Sequence, residues 1–178
     1  FVGMAEDESA YAINVVIDTS LCDLFSTLNA GTIRGTDGSA WTDDVLIAAV
    51  EEVDEEDVPT ENRVWIGDPS VKADIMKIDK FVRSDYFASD AIPTGGFRKD
   101  IYGAPLLTTN NLTAVTSGTG SYGVYMHKDA LAAIISEAME VDRVEQPLKH
   151  QLVINTGALW GVSSLRNLSG VPIYTRLA

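Results

Sequence analysis

The stretch Arg63-Val-Trp-Ile66 followed by Asp68-Pro69 constrains this chain more than any other. A short β-branched and aromatic run reads as a strand. Asp before Pro reads as an N-cap and the first helical position, where proline loses no hydrogen bond and its fixed φ suits the helix. Val71, Ile75 and Ile78 then supply the apolar face of that helix. A strand that passes almost directly into a helix forces both to share one core, which excludes all-helical and all-β folds.

The remaining periodicities fit that frame. Ile13, Ile17, Leu21, Leu24 and Leu28 recur at helical spacing, predicting a long amphipathic helix from Ser9, a candidate N-cap, to Leu28. Gly31 to Ser39 reads as a loop. Thr42 is placed to cap a second helix whose stripe is Leu46, Ala49, Val50 and Val53, with Asp43 and Asp44 favoured by the dipole at its start. Tyr102 to Thr108 reads as extended, with Pro105 marking an edge or bulge, and Tyr122 to Met126 as a strand. From His127-Lys-Asp129 the pattern Leu131, Ile134, Ile135, Ala138 predicts a helix to about Val141. Gln151–Ile154, Ala158–Val162 and Val171–Thr175 read as separate strands punctuated by Gly157, Gly161 and Gly170. The expectation is an α+β fold with a mixed, largely antiparallel sheet.

Composition narrows the function classes. The 178 residues carry 13 Lys and Arg against 26 Asp and Glu, a formal charge of −13, the opposite of what neutralising nucleic-acid phosphates requires. Glu51, Glu52, Asp54, Glu55, Glu56 and Asp57 form an acidic block, read as a solvated surface because no Gly-centred calcium-loop spacing accompanies it. Cys22 is the sole cysteine, so no intrachain disulfide forms, and among Ile17, Leu21, Leu24 and Leu28 it reads as a small buried hydrophobe. No apolar run approaches the roughly 20 residues of a membrane span. Phe1-Val-Gly-Met4 does not read as a translation start, so a further N-terminal portion is expected.

No catalytic, cofactor-binding or metal-binding residue is assigned. Gly118-Thr-Gly-Ser-Tyr-Gly123 spells the dinucleotide glycine fingerprint, but that motif must close a strand and open a helix, and here a polar loop leads into a strand. A nucleotide-binding enzyme using Gly118–Gly123 is therefore the remote reading. His127 and His150 have no zinc-ligand spacing, and His127, at a strand-to-helix junction, reads as capping or packing the helix start. Asp68 is accounted for as a cap. Trp41, Trp65 and Trp160 are scattered and read as core or interface anchors.

Taken in order, Trp41-Thr-Asp-Asp-Val-Leu46, Glu56-Asp-Val-Pro59, Glu61-Asn-Arg63 and Val64-Trp-Ile-Gly-Asp-Pro69 resemble a stretch of the tailed-bacteriophage major capsid proteins. The resemblance continues through Phe81-Val-Arg-Ser-Asp85, Ile101-Tyr-Gly-Ala-Pro-Leu-Leu107, Thr109-Asn-Asn-Leu112, Gly123 to Leu131, Leu159-Trp-Gly161 and Ser164-Leu-Arg166. It implies the capsid fold shared with encapsulins, with an axial domain, a peripheral domain and a long spine helix. Residues 1–40 would be the end of that spine and the loop after it. Residues 41–178 would be the axial domain, with strands returning to the peripheral domain.

The family's N-terminal arm and extended loop would lie upstream of Phe1, and the loop from Asp85 to Lys99 matches nothing in the family. By implication the chain is a non-enzymatic coat protein without cofactors. It would self-assemble through hexamers and pentamers of itself into an icosahedral shell around double-stranded DNA. Scaffold and portal proteins would be its assembly partners in the host bacterial cytoplasm, the virion its destination. An encapsulin-type compartment shell is the alternative, and loops such as Gly31–Ser39, Asp90–Phe97 and Thr116–Gly120 would be adaptors between copies.

Overall fold

The computed structural model describes residues 2–82, 100–146, 149 and 151–176. Helix α1 runs Val2–Asp23 and passes through a 3-10 turn, Phe25–Gly31, to helix α2, Asp43–Glu55. Strand β1, Arg63–Gly67, is followed by α3, Pro69–Ile75, and the short α4, Asp79–Val82. Then come β2, Asp100–Ile101; β3, Ala104–Thr108; β4, Gly120–His127; β5, Leu131–Gln146; β6, Gln151–Ser164; and β7, Gly170–Arg176. The irregular stretch Pro93–Gly96, the adaptor loop Asp90–Phe97, Pro147 and His150 lie outside the described residues.

Five strands form one mixed sheet in the order β2-β3-β1-β4-β7. β1 is central, parallel to β3 with Trp65 opposite Leu106, and antiparallel to β4 with Trp65 opposite Tyr125. Because side chains alternate across a strand, β4 sends Tyr125 to one face of the sheet and Val124 and Met126 to the other. On the first face Trp65 stacks on Tyr125 with ring centroids 4.0 Å apart, and Trp41 meets Trp65 edge-on at 5.8 Å. Leu46, Ala49 and Val53 of α2 and Val71 and Ile75 of α3 close over these rings, all buried. On the second face the end of α1 and its turn bring Cys22, Phe25 and Leu28 onto Val124 and Ala130.

The strand–cap–helix reading holds at the cap, where the Asp68 carboxylate accepts from the Ser70 amide at 2.9 Å and Pro69 opens α3, but the helix ends at Ile75 and Ile78 packs on the core from the link to α4. Thr42 holds the N-cap position of α2 with extended backbone but makes no side-chain cap bond. The first helix is longer than Ser9–Leu28 at its start and shorter at its end: it stops at Asp23, and within the 3-10 segment after it Leu28 adopts extended ψ and Asn29 and Ala30 turn left-handed.

The helix expected from Asp129 to Val141 is a strand. Leu131–Gln146 pairs along its length with Gln151–Ser164 as a two-stranded antiparallel ribbon, with register shifts between Ile135 and Glu140. The spacing of Leu131, Ile134, Ile135 and Ala138 fits either element locally, and pairing with a distant strand decides it. The two runs read as Gln151–Ile154 and Ala158–Val162 are one strand that continues through Gly157.

Candidate interaction surface

The ribbon is a sheet of its own, and among the described residues α1 lies along it. Arg143 of β5 makes a two-pronged ion pair with Glu6 of α1, one prong at 2.7 Å. This fixes which face of the ribbon meets the helix. Arg143 pairs with Ile154, so Ile154, Thr156, Ala158, Trp160 and Val162 share the helix-facing side, and all are half-buried. Asn155, Gly157, Leu159, Gly161 and Ser163 point the opposite way, and all are exposed.

This arm has no dry core. Among the described residues, no fully buried apolar side chain lies in β5, in β6 or in α1 before Cys22. Of the fourteen large exposed hydrophobics among the described residues, eight are on the arm, including Ile134 and Tyr11, each 71 % exposed, and Leu159, 54 % exposed. A lone two-stranded ribbon is marginal in water, and its packing against α1 is what supports it. The arm therefore presents apolar surface that the other described residues leave open.

Where the arm joins the sheet, a groove of about 530 Å³ opens among Leu21, Cys22, Phe25, Ile66, Met126 and Leu131. Its lining is mainly apolar. Burial, and then the charges of Asp18 and Asp23, push the Cys22 thiol up to about 11. It stays protonated at neutral pH and is no nucleophile. Among the described residues no group of three His, Cys, Asp or Glu is placed to hold a metal, and no helix is long and apolar enough to cross a membrane.

The residues singled out in the sequence have structural occupations. In the Gly118–Gly123 loop the amides of Thr119 and Gly120 donate to the two oxygens of Asp37, at 2.8 and 3.0 Å. The donors a phosphate would need are thus taken by a carboxylate. A Cβ on Gly118 would lie 2.5 Å from that carboxylate, and one on Gly123 would lie 2.9 Å from the Ile66 carbonyl, so these glycines serve close packing. His127 is buried, and its Nδ1 accepts from the Asp129 amide at 3.2 Å; it braces a turn into β5, where a helix start was expected.

The acidic block is only partly a solvated surface. Asp54 binds the buried Arg63 at 2.6 Å, and Glu52 pairs with Arg34 and accepts from Asn29 at 3.0 Å. Trp41 and Trp65 are core residues, and Trp160 is the half-buried anchor of the ribbon on its helix side.

No protein-family model and no curated protein matches the chain. Solved structures do. One described as Mycobacterium phage Che8 matches 95 % of the chain and 61 % of its own, with a TM-score of 0.76 at 19 % identity. The mature capsid of bacteriophage PhiM1 matches 97 % of the chain and 64 % of its own, with a TM-score of 0.74 at 13 % identity. The chain has the phage-capsid fold.

That fold reaches beyond viruses. The SrpI encapsulin complex of Synechococcus elongatus PCC 7942 matches 96 % of the chain and 64 % of its own, with a TM-score of 0.63 at 11 % identity. The chain therefore spans less than two thirds of the length of these three relatives. In the capsid fold the arm and the sheet body are matched together, which the 97 % coverage requires. Sequence reading missed the arm as a surface because it placed a helix where β5 runs. Asn155-Thr156 and Ala158-Leu-Trp160 do not alternate in polarity and Gly157 and Gly161 read as strand ends, so no local signal joined these residues into one ribbon strand.

Proposed function

We propose that the chain is the greater part of a major capsid protein, a structural subunit that self-assembles into the icosahedral shell enclosing a phage double-stranded DNA genome. The observation that carries this reading is the match of arm and sheet body together to a phage capsid over nearly the whole chain. The open apolar arm supports it, because a subunit that lives among copies of itself completes its core only on assembly. The seated Asp37 carboxylate and the protonated Cys22 support a structural role over an enzymatic one.

In this reading α1 and the loop to residue 40 form the end of the peripheral spine. Residues 41–178 form the axial body, and β5 and β6 are its strands returning to the periphery. Copies would meet in hexamers and pentamers, scaffold and portal proteins would attend assembly in the host bacterial cytoplasm, and the virion would be the final location. With a charge of −13, the shell would enclose DNA without gripping it.

Negative-stain electron microscopy of the protein, expressed alone and with its scaffold, tests the reading: shells or capsomer rings are expected, and a monomer in every condition overturns it. The encapsulin likeness motivates a second reading, a compartment around protein cargo. Particles that co-purify with enzyme cargo and no DNA would favour it.

A further inference from the structure

The two faces of the ribbon are covered unequally: α1 packs on one, and the other is exposed. Residues directly opposite in an antiparallel pair share a face. On the open face Ile134 lies opposite Gly161, Glu137 opposite Leu159, Glu140 opposite Gly157, Asp142 opposite Asn155 and Val144 opposite Val153. Ile134, Leu159 and Val144 are exposed there beside the exposed carboxylates of Glu137, Glu140 and Asp142. Arg143 is the one Lys, Arg or His within the two strands, and it is bound to Glu6 on the helix side. The open face is thus apolar and anionic, with no cation of its own.

We propose that this face is a docking site for a basic amphipathic helix of another polypeptide. The three carboxylates stand opposite alternate residues of β6, so they step by about 6.8 Å. That is close to the rise of about 6.0 Å over four residues of a helix. Lys or Arg at i, i+4 and i+8 meet Glu137, Glu140 and Asp142, and an apolar stripe beside them covers Ile134 and Leu159. The docked helix gives the ribbon a packed layer on both sides. Opposite charge selects it over neutral or acidic helices.

The chain's own helices do not qualify as the occupant. α1 and α2 contain no Lys or Arg, and α3 and α4 contain one each. No two Lys or Arg stand four apart anywhere in the 178 residues. Lys77 and Lys80, which come nearest to a basic stripe, are bound to Asp74 and Asp43. A second copy set face to face opposes the carboxylates to their own kind. The occupant therefore comes from outside these residues, whether the chain is a coat subunit or a compartment shell. Met4, Tyr11 and Val16 of α1, also exposed, stay open to contacts between copies.

The probe is a synthetic helix of about 18 residues, long enough to be helical on binding, with Lys in one i, i+4 row and Leu in the next. Its binding to the unassembled protein is read by fluorescence anisotropy. A scrambled peptide of equal charge controls for the acidity of the whole chain and is expected to bind at least about tenfold more weakly. Glu137→Gln/Glu140→Gln and Leu159→Ser should each weaken the probe about tenfold, while Glu55→Gln/Glu56→Gln, in the acidic block, leaves it unchanged. Thermal melts of the variants are expected to match the parent, since these side chains are exposed. Bound probe should slow amide hydrogen exchange in β5 and β6 and leave α2 unaffected.

No binding of the probe, equal binding of the scramble, or equal losses from the two Gln pairs would overturn the docking site. Each of these outcomes leaves the shell reading standing, since that reading is decided by particles or their absence.

Discussion

Arg63, with a side chain only 3 % exposed, donates to the carboxylate of Asp54 at 2.6 Å, although Asp54 is half in solvent. The same guanidinium donates to the carbonyls of Pro59, at 2.8 Å, and Val58, and to the Tyr125 hydroxyl at 3.3 Å. One buried side chain thus ties the end of α2 and the acidic turn to the central strand. Arg63→Met leaves two carbonyls without their donor and is expected to cost about 2–4 kcal/mol in urea unfolding. Asp54→Asn keeps an acceptor at a half-exposed site and should cost no more than about 1 kcal/mol. Equal losses from the two variants would count against the carbonyls as the main partners.

Ala30 sits at φ +52° within the turn that ends the first helix, between Asn29 at +49° and Gly31 at +79°. An alanine there carries left-handed strain that glycine does not. Ala30→Gly is expected to stabilise by about 0.5–1 kcal/mol after the entropy gained by the unfolded chain is discounted, raising the thermal midpoint by about 2 °C. Asn29→Gly should instead destabilise, because the buried Asn29 amide donates to Glu52 at 3.0 Å. A lower midpoint for Ala30→Gly would show that the turn is not strained.

The elements legible in the sequence are those whose signals are local. Asp68-Pro69 states a cap and a helix start within two residues, and Leu46, Ala49 and Val53 state a buried face within three turns. Trp65 was legible as strand and anchor because both neighbours along β1 are also strand formers. β5 was not legible, since Ile134 and Ile135 satisfy a helical pattern while in the ribbon they point to opposite faces, both exposed. What holds them extended is pairing with Trp160 and Gly161, more than twenty residues away and outside any local window. The Asp37 clasp was hidden for the same reason, since its partners lie 82 and 83 positions on.

Asp43 joins α2 to two distant elements, accepting from Lys80 and from the hydroxyl of Tyr102. Burial raises its carboxyl pKa, but the bonds from Lys80 and Tyr102 outweigh burial, so its folded value lies below the ordinary 3.8. Burial first, then Asp43 and Asp44, hold the Tyr102 phenol well above its ordinary range. A lowered carboxyl contributes stability above the unfolded pKa and loses it as pH falls through the folded one; a raised phenol contributes below its unfolded pKa and loses it as pH rises. Asp43→Asn should therefore flatten the acid limb of a stability–pH profile, and Tyr102→Phe the alkaline limb. An acid limb unchanged in Asp43→Asn would assign it to other carboxylates.

The Asp37 clasp separates the structural account of the Gly118–Gly123 loop from the nucleotide-binding one. Both oxygens of Asp37 are committed to loop amides, and the chain leaves the loop as strand β4, paired with β7 from Gly120 onward. No helix N-terminus follows to add its dipole, which anion binding of this type requires. Adenine dinucleotides at millimolar concentration are therefore expected to leave the thermal midpoint unchanged. Asp37→Ala should lower the unfolding free energy by about 1–2 kcal/mol, the loss of two charge-assisted bonds at a partly exposed site, and should speed amide hydrogen exchange at Thr119 and Gly120. Dinucleotides should still not stabilise that variant: the vacated amides would face an anion with neither a lysine nor a helix behind them. A clear upward shift with nucleotide in either protein would restore the loop as a binding site and reopen the enzymatic reading.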